Sequence, residues 1–431
     1  ALTGQTVVIL GSGGTGHTAK AAAEELGAAE IATVSRTGEL NYENLAKRFG
    51  KRDFYLINTT PVGMMPQSGV SPLDLRQFPR CKGVADVIYN PLRTRLCQQA
   101  AELGHVTAQL NLGWAYSNGI GAPQDNDKAF YWYRKAAEQG HPTAQFDLGF
   151  CYVNGLGVEK DEHQAIGWYK KAAEQGHAVA QLNLGWIYAN SPSRKNWEQA
   201  VYWYKQAAEQ GDPRAQYNLA WCYGNGSGTP KNPRKAAYWY EEAAMQNHAT
   251  AQYNLGWCYE NGFGVEPDLD KALVWYHKSA LQGQITAQYT LGWCYGNGRG
   301  MEVDMAKAVH WYTKAAEQGH TTAQLNLGWC HLNGKGTPVN REEALKWYLK
   351  AAEQGNATAM FNVGNCYAHG YGIEQDDKQA EEWYLKAVRH GNKKAASALR
   401  HLASKQEKEK KRTRRTEKSF SCLPPREIPS P

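Results

Sequence analysis

The chain has 431 residues, a formal net charge of +7, 43 glycines and 15 tryptophans. Glycine has no period of three, which excludes collagen, and no run of about 18 apolar residues exists, which excludes a membrane-spanning helix. With 25 tyrosines as well, wholesale disorder is excluded, because disordered chains are poor in aromatic residues. At about 150 residues per domain, the length predicts two or three structural units.

The first predicted elements are a buried strand, a glycine-rich turn and a helix. Residues 6–10 (TVVIL) form a continuous apolar run, as in a parallel strand buried on both faces. An alanine-rich helix to about Leu26 follows the glycine-rich turn, which consists of Gly11, Ser12, Gly13, Gly14, Thr15 and Gly16. A G-x-G-x-x-G turn between strand and helix lets a dinucleotide pyrophosphate approach closely, and the helix N-terminus attracts it. The sequence therefore predicts a Rossmann-like dinucleotide site; the alternative is a glycine-rich loop that binds nothing.

The second predicted strand ends beside a basic residue. It covers residues 30–35 and leads into Ser35, Arg36 and Thr37. A site selective for NAD usually has an acidic side chain here to hold the ribose 2′-hydroxyl, whereas arginine suits a 2′-phosphate. The predicted cofactor is therefore NADP.

Two further segments complete a resemblance to a known family. They are residues 58–64 (NTTPVGM) and residues 84–94 (VADVIYNPLRT). With the glycine turn and the Ser-Arg-Thr segment, they make residues 1–104 resemble the cofactor-binding half of shikimate dehydrogenase. The resemblance implies that Asn58, Thr59, Thr60 and Met64 line the cofactor ribose and nicotinamide, and that Tyr89 lies near the site of hydride transfer.

The segment also departs from that family. There, the substrate site and the catalytic lysine and aspartate belong to an N-terminal domain, whereas this sequence begins at Ala1. Its lysines match no catalytic motif: Lys20, Lys47, Lys51 and Lys82. We assign no catalytic residue and no metal site, and we expect no shikimate oxidation by the chain as given; whether NADP binding persists stays open. The alternative is a fragment of an NADP-dependent shikimate dehydrogenase, the enzyme that links 3-dehydroshikimate and shikimate in aromatic amino acid biosynthesis.

The rest of the chain is dominated by an internal repeat. An alanine that opens stretches such as AQLNLGWCY recurs every 36 residues, with one interval of 35, which gives eight units and a ninth start at Ala395. The eight positions are Ala108, Ala144, Ala180, Ala215, Ala251, Ala287, Ala323 and Ala359. Each unit reads as a helix (helix A), a G-x-G loop and a second helix (helix B), and such pairs complete their core only by stacking. The third unit lacks the G-x-G loop, so we expect an irregularity around Pro192.

The repeat pattern resembles the Sel1-like family, a relative of tetratricopeptide repeats. The predicted fold is therefore a multi-domain chain. A truncated Rossmann-like α/β domain (residues 1–104) precedes an all-α solenoid of eight helix-turn-helix units and a capping helix (residues 105–402). Residues 98–105 resemble both the last helix of the nucleotide fold and the repeat's own helix B. We therefore expect one shared helix and no linker between the two domains.

Two residue types recur on helix A beside its core stripe. Spacings of three and four residues put them on one side of the helix, which we expect to be the concave side. Amide groups can pair with a peptide backbone, and exposed tryptophans indicate binding, so we predict an extended-peptide groove. Its predicted residues are Asn111, Trp114, Asn118, Asn183, Trp186, Asn218, Trp221, Asn254, Trp257, Asn261, Trp293, Asn297, Asn326 and Trp329. The alternatives are that these columns are partly buried between units, or that they are copies left by duplication.

Cysteines and charge complete the prediction. Six cysteines share one repeat column, and stacked helices lie about 10 Å apart, too far for a disulfide. We expect buried thiols in a reducing cytoplasm. Residues 403–431 hold most of the net charge and four prolines, which predicts a disordered basic tail. A solvated tail is the simplest interpretation, and a weak contact with nucleic acid or a membrane, or a nuclear address, stays open.

Overall fold

The computed structural model describes residues 2–60, 71–86, 94–120, 123–190 and 196–421, and side chains as far as residue 408. The predictions for Met64, Tyr89 and the surroundings of Pro192 lie outside the described residues. The chain forms two compact units, which are described separately. One comprises residues 1–215 with 227–229, and the other comprises residues 216–226 with 230–431.

A four-stranded parallel sheet lies at the N-terminal end of the first unit. Its strands are β1 Thr6–Leu10, β2 Glu30–Val34, β3 Phe54–Asn58 and β4 Cys81–Asp86, in the spatial order β2-β1-β3-β4. Successive connections leave β1 in opposite directions, so β1 and β3 flank a topological switch point, where α/β sheets bind ligands. The α/β domain predicted from the sequence is confirmed.

Short helices cover this sheet. They are α1 Gly14–Glu25, α2 Leu45–Phe49, a 3₁₀ turn at Leu75–Gln77 and α3 Arg95–Glu102. The core contains an aromatic cluster in which Phe54 meets Phe49 and Phe78 edge-on, with ring centroids 5.8 and 5.9 Å apart. Such edge-on pairs place positive ring edges against negative faces. Leu96 and Ala100 of α3 are fully buried in the same core.

In the described residues between 106 and 389, sixteen helices of 13 residues each form the eight repeat units. The A helices are α4 Val106–Asn118, α6 Pro142–Asn154, α8 Ala178–Asn190, α10 Pro213–Asn225, α12 Ala249–Asn261, α14 Ile285–Asn297, α16 Thr321–Asn333 and α18 Ala357–His369. The B helices are α5 Asn126–Glu138, α7 Glu162–Glu174, α9 Trp197–Glu209, α11 Pro233–Met245, α13 Leu269–Leu281, α15 Met305–Glu317, α17 Arg341–Glu353 and α19 Asp377–Arg389. The predicted helix-turn-helix repeats are confirmed.

The fifth unit shows why these sequences form helix pairs. Gly262 directly follows helix A and ends it, because its φ of 65° is left-handed and favours glycine. Helix B begins at Asp268, whose carboxylate accepts a hydrogen bond from the Lys271 N–H at 2.9 Å. Gly256 of helix A faces Tyr276 of helix B, and a Cβ at Gly256 would lie 2.8 Å from the tyrosine ring. A glycine in this column therefore lets the two helices pack closely around the buried tyrosine.

A buried glutamine on helix A joins neighbouring helices, a feature that the sequence did not suggest. In the fifth unit, Gln252 donates to the Ala244 carbonyl of the preceding helix B at 3.1 Å and accepts from Gln282, beyond its own helix B, at 2.7 Å. The same pair of bonds is made by Gln109, Gln145, Gln181, Gln288 and Gln324. Each of these side chains is almost fully buried, so the bonds satisfy groups that would otherwise be costly.

The histidine of the inter-unit turn caps helix A. The His320 Nδ1 accepts a hydrogen bond from the Ala323 N–H at 3.1 Å, and its ring stacks on Tyr289 of the preceding unit at 4.5 Å. His248 does the same with Ala251 and Tyr217. Each ring thus satisfies one of the orphan N–H groups of a helix start.

The repeat cysteines are buried free thiols, as predicted. They are Cys151, Cys222, Cys258, Cys294, Cys330 and Cys366. Burial disfavours the thiolate and raises the pKa of Cys258 to about 12 and that of Cys330 to about 11. The column therefore consists of small apolar core side chains.

The ends of the solenoid differ in how well they were predicted. Helix α3 packs on the sheet, and its Ala101 carbonyl accepts from Gln109 at 3.0 Å, as a preceding helix B does elsewhere. At the other end, α20 runs from Lys393 to Ser421. The prediction of disorder from residue 403 is therefore wrong as far as Ser421. Lysine, arginine, glutamate and glutamine are good helix formers. The first part of α20 is also anchored, because its Ala395 and Leu402 are buried in the core of the last repeat unit.

Candidate functional site

The glycine-rich turn after β1 forms a cradle at the switch point of the sheet. Gly11 has a φ of 107°, and a Cβ there would lie 2.6 Å from Thr59 Oγ1. A Cβ on Gly16 would collide with the Gly11 carbonyl oxygen. These two glycines therefore allow the close turn, whereas a Cβ on Gly13 or Gly14 would meet no atom within 4 Å. The surface above Gly13 and Gly14 is open to a ligand.

The helix that follows presents its N-terminus to this opening. Helix α1 begins at Gly14, and Gly13 makes no side-chain cap. Because the first N–H groups of a helix lack intrahelical partners and carry partial positive charge, they suit an anionic phosphate. Gly14, Thr15 and Gly16 thus lie in the first turn, where the sequence predicted phosphate contacts.

A cavity of about 520 Å³ adjoins the cradle. The predicted residues on its wall are Gly11, Ser12, Gly13, Ser35, Arg36, Thr37, Thr59 and Thr60. Val34, Tyr42, Ser71 and Pro72 also line it and were not predicted. Burial raises the pKa of Tyr42, and the charge of Arg36 opposes this rise. The cationic side chain of Arg36 and the partly buried ring of Tyr42 thus lie on the same cavity wall.

The end of β3 forms the inner wall of the cavity. Thr59 donates from its N–H to the Leu10 carbonyl at 2.9 Å and from its hydroxyl to the same oxygen at 2.6 Å. Asn58 is fully buried, and its Oδ1 accepts from the Thr60 N–H at 3.1 Å and hydroxyl at 2.7 Å. The Asn58 side chain thus positions Thr60, and its expected contact with a cofactor stays a prediction.

The tryptophan column of the A helices is exposed to solvent. Its members are Trp114, Trp186, Trp221, Trp257, Trp293 and Trp329, with exposed fractions of 37–58%, and Phe150 takes the same position in the second unit. By contrast, Trp203, Trp311 and Trp347 of the B helices are buried. Large aromatic side chains in water lose hydrophobic stabilisation, so the packing of a unit does not explain the exposed column.

The two asparagine columns beside it make local hydrogen bonds. The column at the helix end donates from its amide to the carbonyl of the tryptophan one turn earlier, as Asn261 does to Trp257 at 2.9 Å. Asn118, Asn190, Asn225, Asn297 and Asn333 repeat this bond. The inner column is half-buried, except for the exposed Asn111, and Asn254 bonds the hydroxyls of Tyr217 and Tyr240. Part of the amide capacity expected for a peptide is therefore used by the protein.

We call the exposed tryptophan column, with Phe150 and the flanking asparagine columns, the Trp–Asn face. It holds all fourteen predicted peptide-binding residues, including Asn183, Asn218 and Asn326. Within the described residues, no three His, Cys, Asp or Glu side chains are grouped as a metal site. In that same part of the chain, no helix is both long and apolar enough to cross a membrane.

The chain stacks helical hairpins that repeat the same helix caps, the same glycine–tyrosine packing and the same glutamine hydrogen bonds. This arrangement defines the class of protein as an α-solenoid. A model of the Sel1 repeat matches eight adjoining segments, residues 106–141, 142–177, 178–212, 213–248, 249–284, 285–320, 321–356 and 357–392. These segments span more than half of the chain, which therefore belongs to the Sel1 repeat family. The crystal structure of a Sel1 repeat protein from Oxalobacter formigenes is similar, with a TM-score of 0.57 and 32% identity over 72% of this chain and 89% of that one.

The N-terminal segment is similar to shikimate dehydrogenases, as the sequence motifs predicted. The NADP(+) shikimate dehydrogenase of Synechocystis sp. is 35% identical over 127 residues, covering 24% of this chain and 43% of the relative. That of Shouchella clausii is 36% identical over 123 residues, with the same coverage. The chain thus spans less than half the length of these relatives.

Proposed function

We propose that the protein is an interaction scaffold that binds extended peptide segments on the Trp–Asn face of its repeats. The observation that carries this proposal is the exposure of one aromatic column throughout seven A helices. Tryptophan is enriched among the residues that dominate binding energy. The asparagines at the helix ends keep an acceptor oxygen and a second amide hydrogen, which can pair with a peptide backbone without reading its sequence.

The test is a selection of peptides from a random 12-residue display library on the purified full-length chain. Enriched peptides are synthesised with a fluorophore, and their affinity is measured by anisotropy. We expect Trp257→Ala combined with Trp293→Ala to weaken binding by at least about tenfold, since hot-spot aromatics contribute about 2 kcal/mol or more each. Helical circular dichroism should not change.

The matched control replaces with alanine two aromatic residues of B helices, Tyr202 and Tyr238, which are more exposed than the two tryptophans. This control should bind the peptides as the wild type does. Binding that survives the tryptophan substitutions, or that depends equally on the two tyrosines, would contradict a peptide site on the A helices.

We also propose that residues 1–104 form an NADP-binding module. The glycine cradle and the first turn of α1 would hold the pyrophosphate, and Arg36 would hold the 2′-phosphate. Thr59 and Thr60 would border the ribose side of the cavity. NADP, when bound, supplies hydride-transfer chemistry. The free thiols of the repeats support a reducing, cytoplasmic location.

The similarity to shikimate dehydrogenases favours a second candidate, namely an NADP-dependent shikimate dehydrogenase of which this chain is one part. The described residues on the cavity wall provide hydroxyl groups and one arginine, but no lysine, aspartate or histidine for proton transfer. A spectrophotometric assay with shikimate and NADP, with and without a separately supplied substrate domain, distinguishes the candidates. Turnover by the chain alone would favour the enzyme.

A further inference from the structure

The A helices carry very little charge. In the described residues of all eight, only Arg214, Asp147 and Glu260 are Asp, Glu, Lys or Arg. Two of them are paired: Arg214 donates to Asp212 at 2.9 Å, and Glu260 accepts from Arg299 at 2.8 Å and from the Tyr276 hydroxyl at 2.7 Å. The side chain of Asp147, on α6, makes no hydrogen bond or ion pair within the described part of the chain.

Asp147 stands in the inner asparagine column, where the other units have asparagine or Thr290. In the fifth unit, the corresponding Asn254 bonds two tyrosine side chains, one from the preceding helix A (Tyr217) and one from the preceding helix B (Tyr240). Asn326 in the seventh unit likewise bonds Tyr289 and Tyr312. Asparagine at this position thus bonds tyrosine side chains of both preceding helices.

Asp147 makes neither of these bonds. The preceding helix A carries Leu110 in place of the tyrosine, and the Tyr133 hydroxyl of the preceding helix B bonds Ser117 instead. The carboxylate is half-buried, and burial raises its pKa to about 6. No cation in the described part of the chain opposes this rise, so none of those residues supplies a counter-ion.

Two exposed aromatic residues flank this acid on the Trp–Asn face. Phe150 lies three residues further along α6 and is 45% exposed, and Trp114 holds the same column of the neighbouring α4 and is 48% exposed. Residues three apart share one side of a helix. A carboxylate beside aromatic faces suits a cation with an apolar stem, through an ion pair and cation–π attraction.

We propose that Asp147 binds a lysine or arginine side chain of the peptide, so that the second unit reads one basic residue in an otherwise sequence-tolerant site. This inference rests on the proposed peptide binding and adds a specificity-determining residue to it. The neutral amides of the other units hold backbone, and the unpaired carboxylate selects charge.

The test uses the peptides enriched from the random library on the wild-type full-length chain. We expect each to contain a lysine or arginine at a fixed position. Replacing that residue with norleucine, which keeps the stem and removes the charge, should weaken binding about tenfold. Asp147→Asn should weaken the basic peptide similarly and leave the affinity of the norleucine peptide unchanged.

The matched control is Glu260→Gln, which removes the same charge from an A helix where Arg299 and Tyr276 already pair it. Its affinity for the basic peptide should equal that of the wild type. Asp147→Asn should fold, because asparagine is the residue of most other units at this position, and circular dichroism checks this.

The pH profile gives a second readout. Affinity for the basic peptide should fall as pH drops through about 6, because Asp147 becomes neutral. The groups that face it are Tyr133 from α5, Tyr169 from α7 and Cys151 on its own helix. The ordinary pKa values of these three groups already lie above 8, and burial raises them further. None of the three therefore titrates between pH 5 and 8. In Asp147→Asn the profile should be flat.

If Asp147→Asn weakens the affinity for the basic and norleucine peptides equally, or weakens neither, the proposed role of Asp147 is overturned and the scaffold proposal is not. Peptides that depend on Trp257 and Trp293 but show no basic residue would do the same and leave the scaffold standing. If the library yields no peptide at all, the scaffold proposal and this inference both fail.

Discussion

At the scale of single residues, the charge at position 36 determines which nucleotide the N-terminal module should prefer. Arg36 lies on the cavity wall beside Thr37 and Tyr42. The motif order made Arg36 predictable, because it directly follows a strand that pairs with the glycine-loop strand. Tyr42 and Ser71 were not predictable, since no spacing rule links them to the cradle and only the folded loops bring them there.

Arg36→Ala should weaken NADPH binding by at least about tenfold, because it removes a charge-assisted bond to the 2′-phosphate. NADH lacks that phosphate, so its affinity should stay the same. Fluorescence titration of both nucleotides measures the difference. The control is Lys20→Ala, which removes an equal charge from the exposed side of α1. Equal losses for NADPH and NADH would mean that Arg36 does not read the phosphate.

At the scale of elements, helix limits were largely predictable and the contacts between helices were not. Left-handed glycines such as Gly262 and capping acids such as Asp268 mark the ends of helices in the sequence itself. Buried Gln252, however, is the same residue type as exposed Gln164, and only the stacking of helices separates them. The basic end of α20 was misjudged because charge was weighed above helix propensity.

Gln252→Leu should destabilise the solenoid by about 1–2 kcal/mol, because it removes the hydrogen bonds to the Ala244 carbonyl, which keeps only the Asn247 N–H as a donor, and from the Gln282 amide. The midpoint of guanidinium unfolding, followed by helical circular dichroism, reports this loss. Gln164→Leu makes the same chemical change on an exposed face of α7 and should leave the midpoint nearly unchanged. Equal midpoints for the two variants would show that the glutamine contacts do not stabilise the stack.

At the scale of the whole molecule, the chain carries a glycine cradle and repeats that use their tryptophans in two ways. Those of the B helices are buried or half-buried, whereas those of the A helices stay exposed. The repeat period and the tryptophan and asparagine columns of the A helices were visible in the sequence. The difference in exposure was expected from the helix spacing, but the use of asparagine amides inside the protein was not. The proposed binding surface therefore depends more on aromatic area than on an amide ladder.

The most direct measurement of this central claim is fluorine NMR of the full-length chain labelled with 5-fluorotryptophan. Single Trp→Phe variants assign the resonances, and an enriched peptide is then titrated in. The account predicts shifts for resonances of A-helix tryptophans such as Trp257 and Trp293, while those of buried B-helix tryptophans such as Trp311 and Trp347 stay in place. Shifts confined to B-helix tryptophans, or saturable binding without any tryptophan shift, would contradict it.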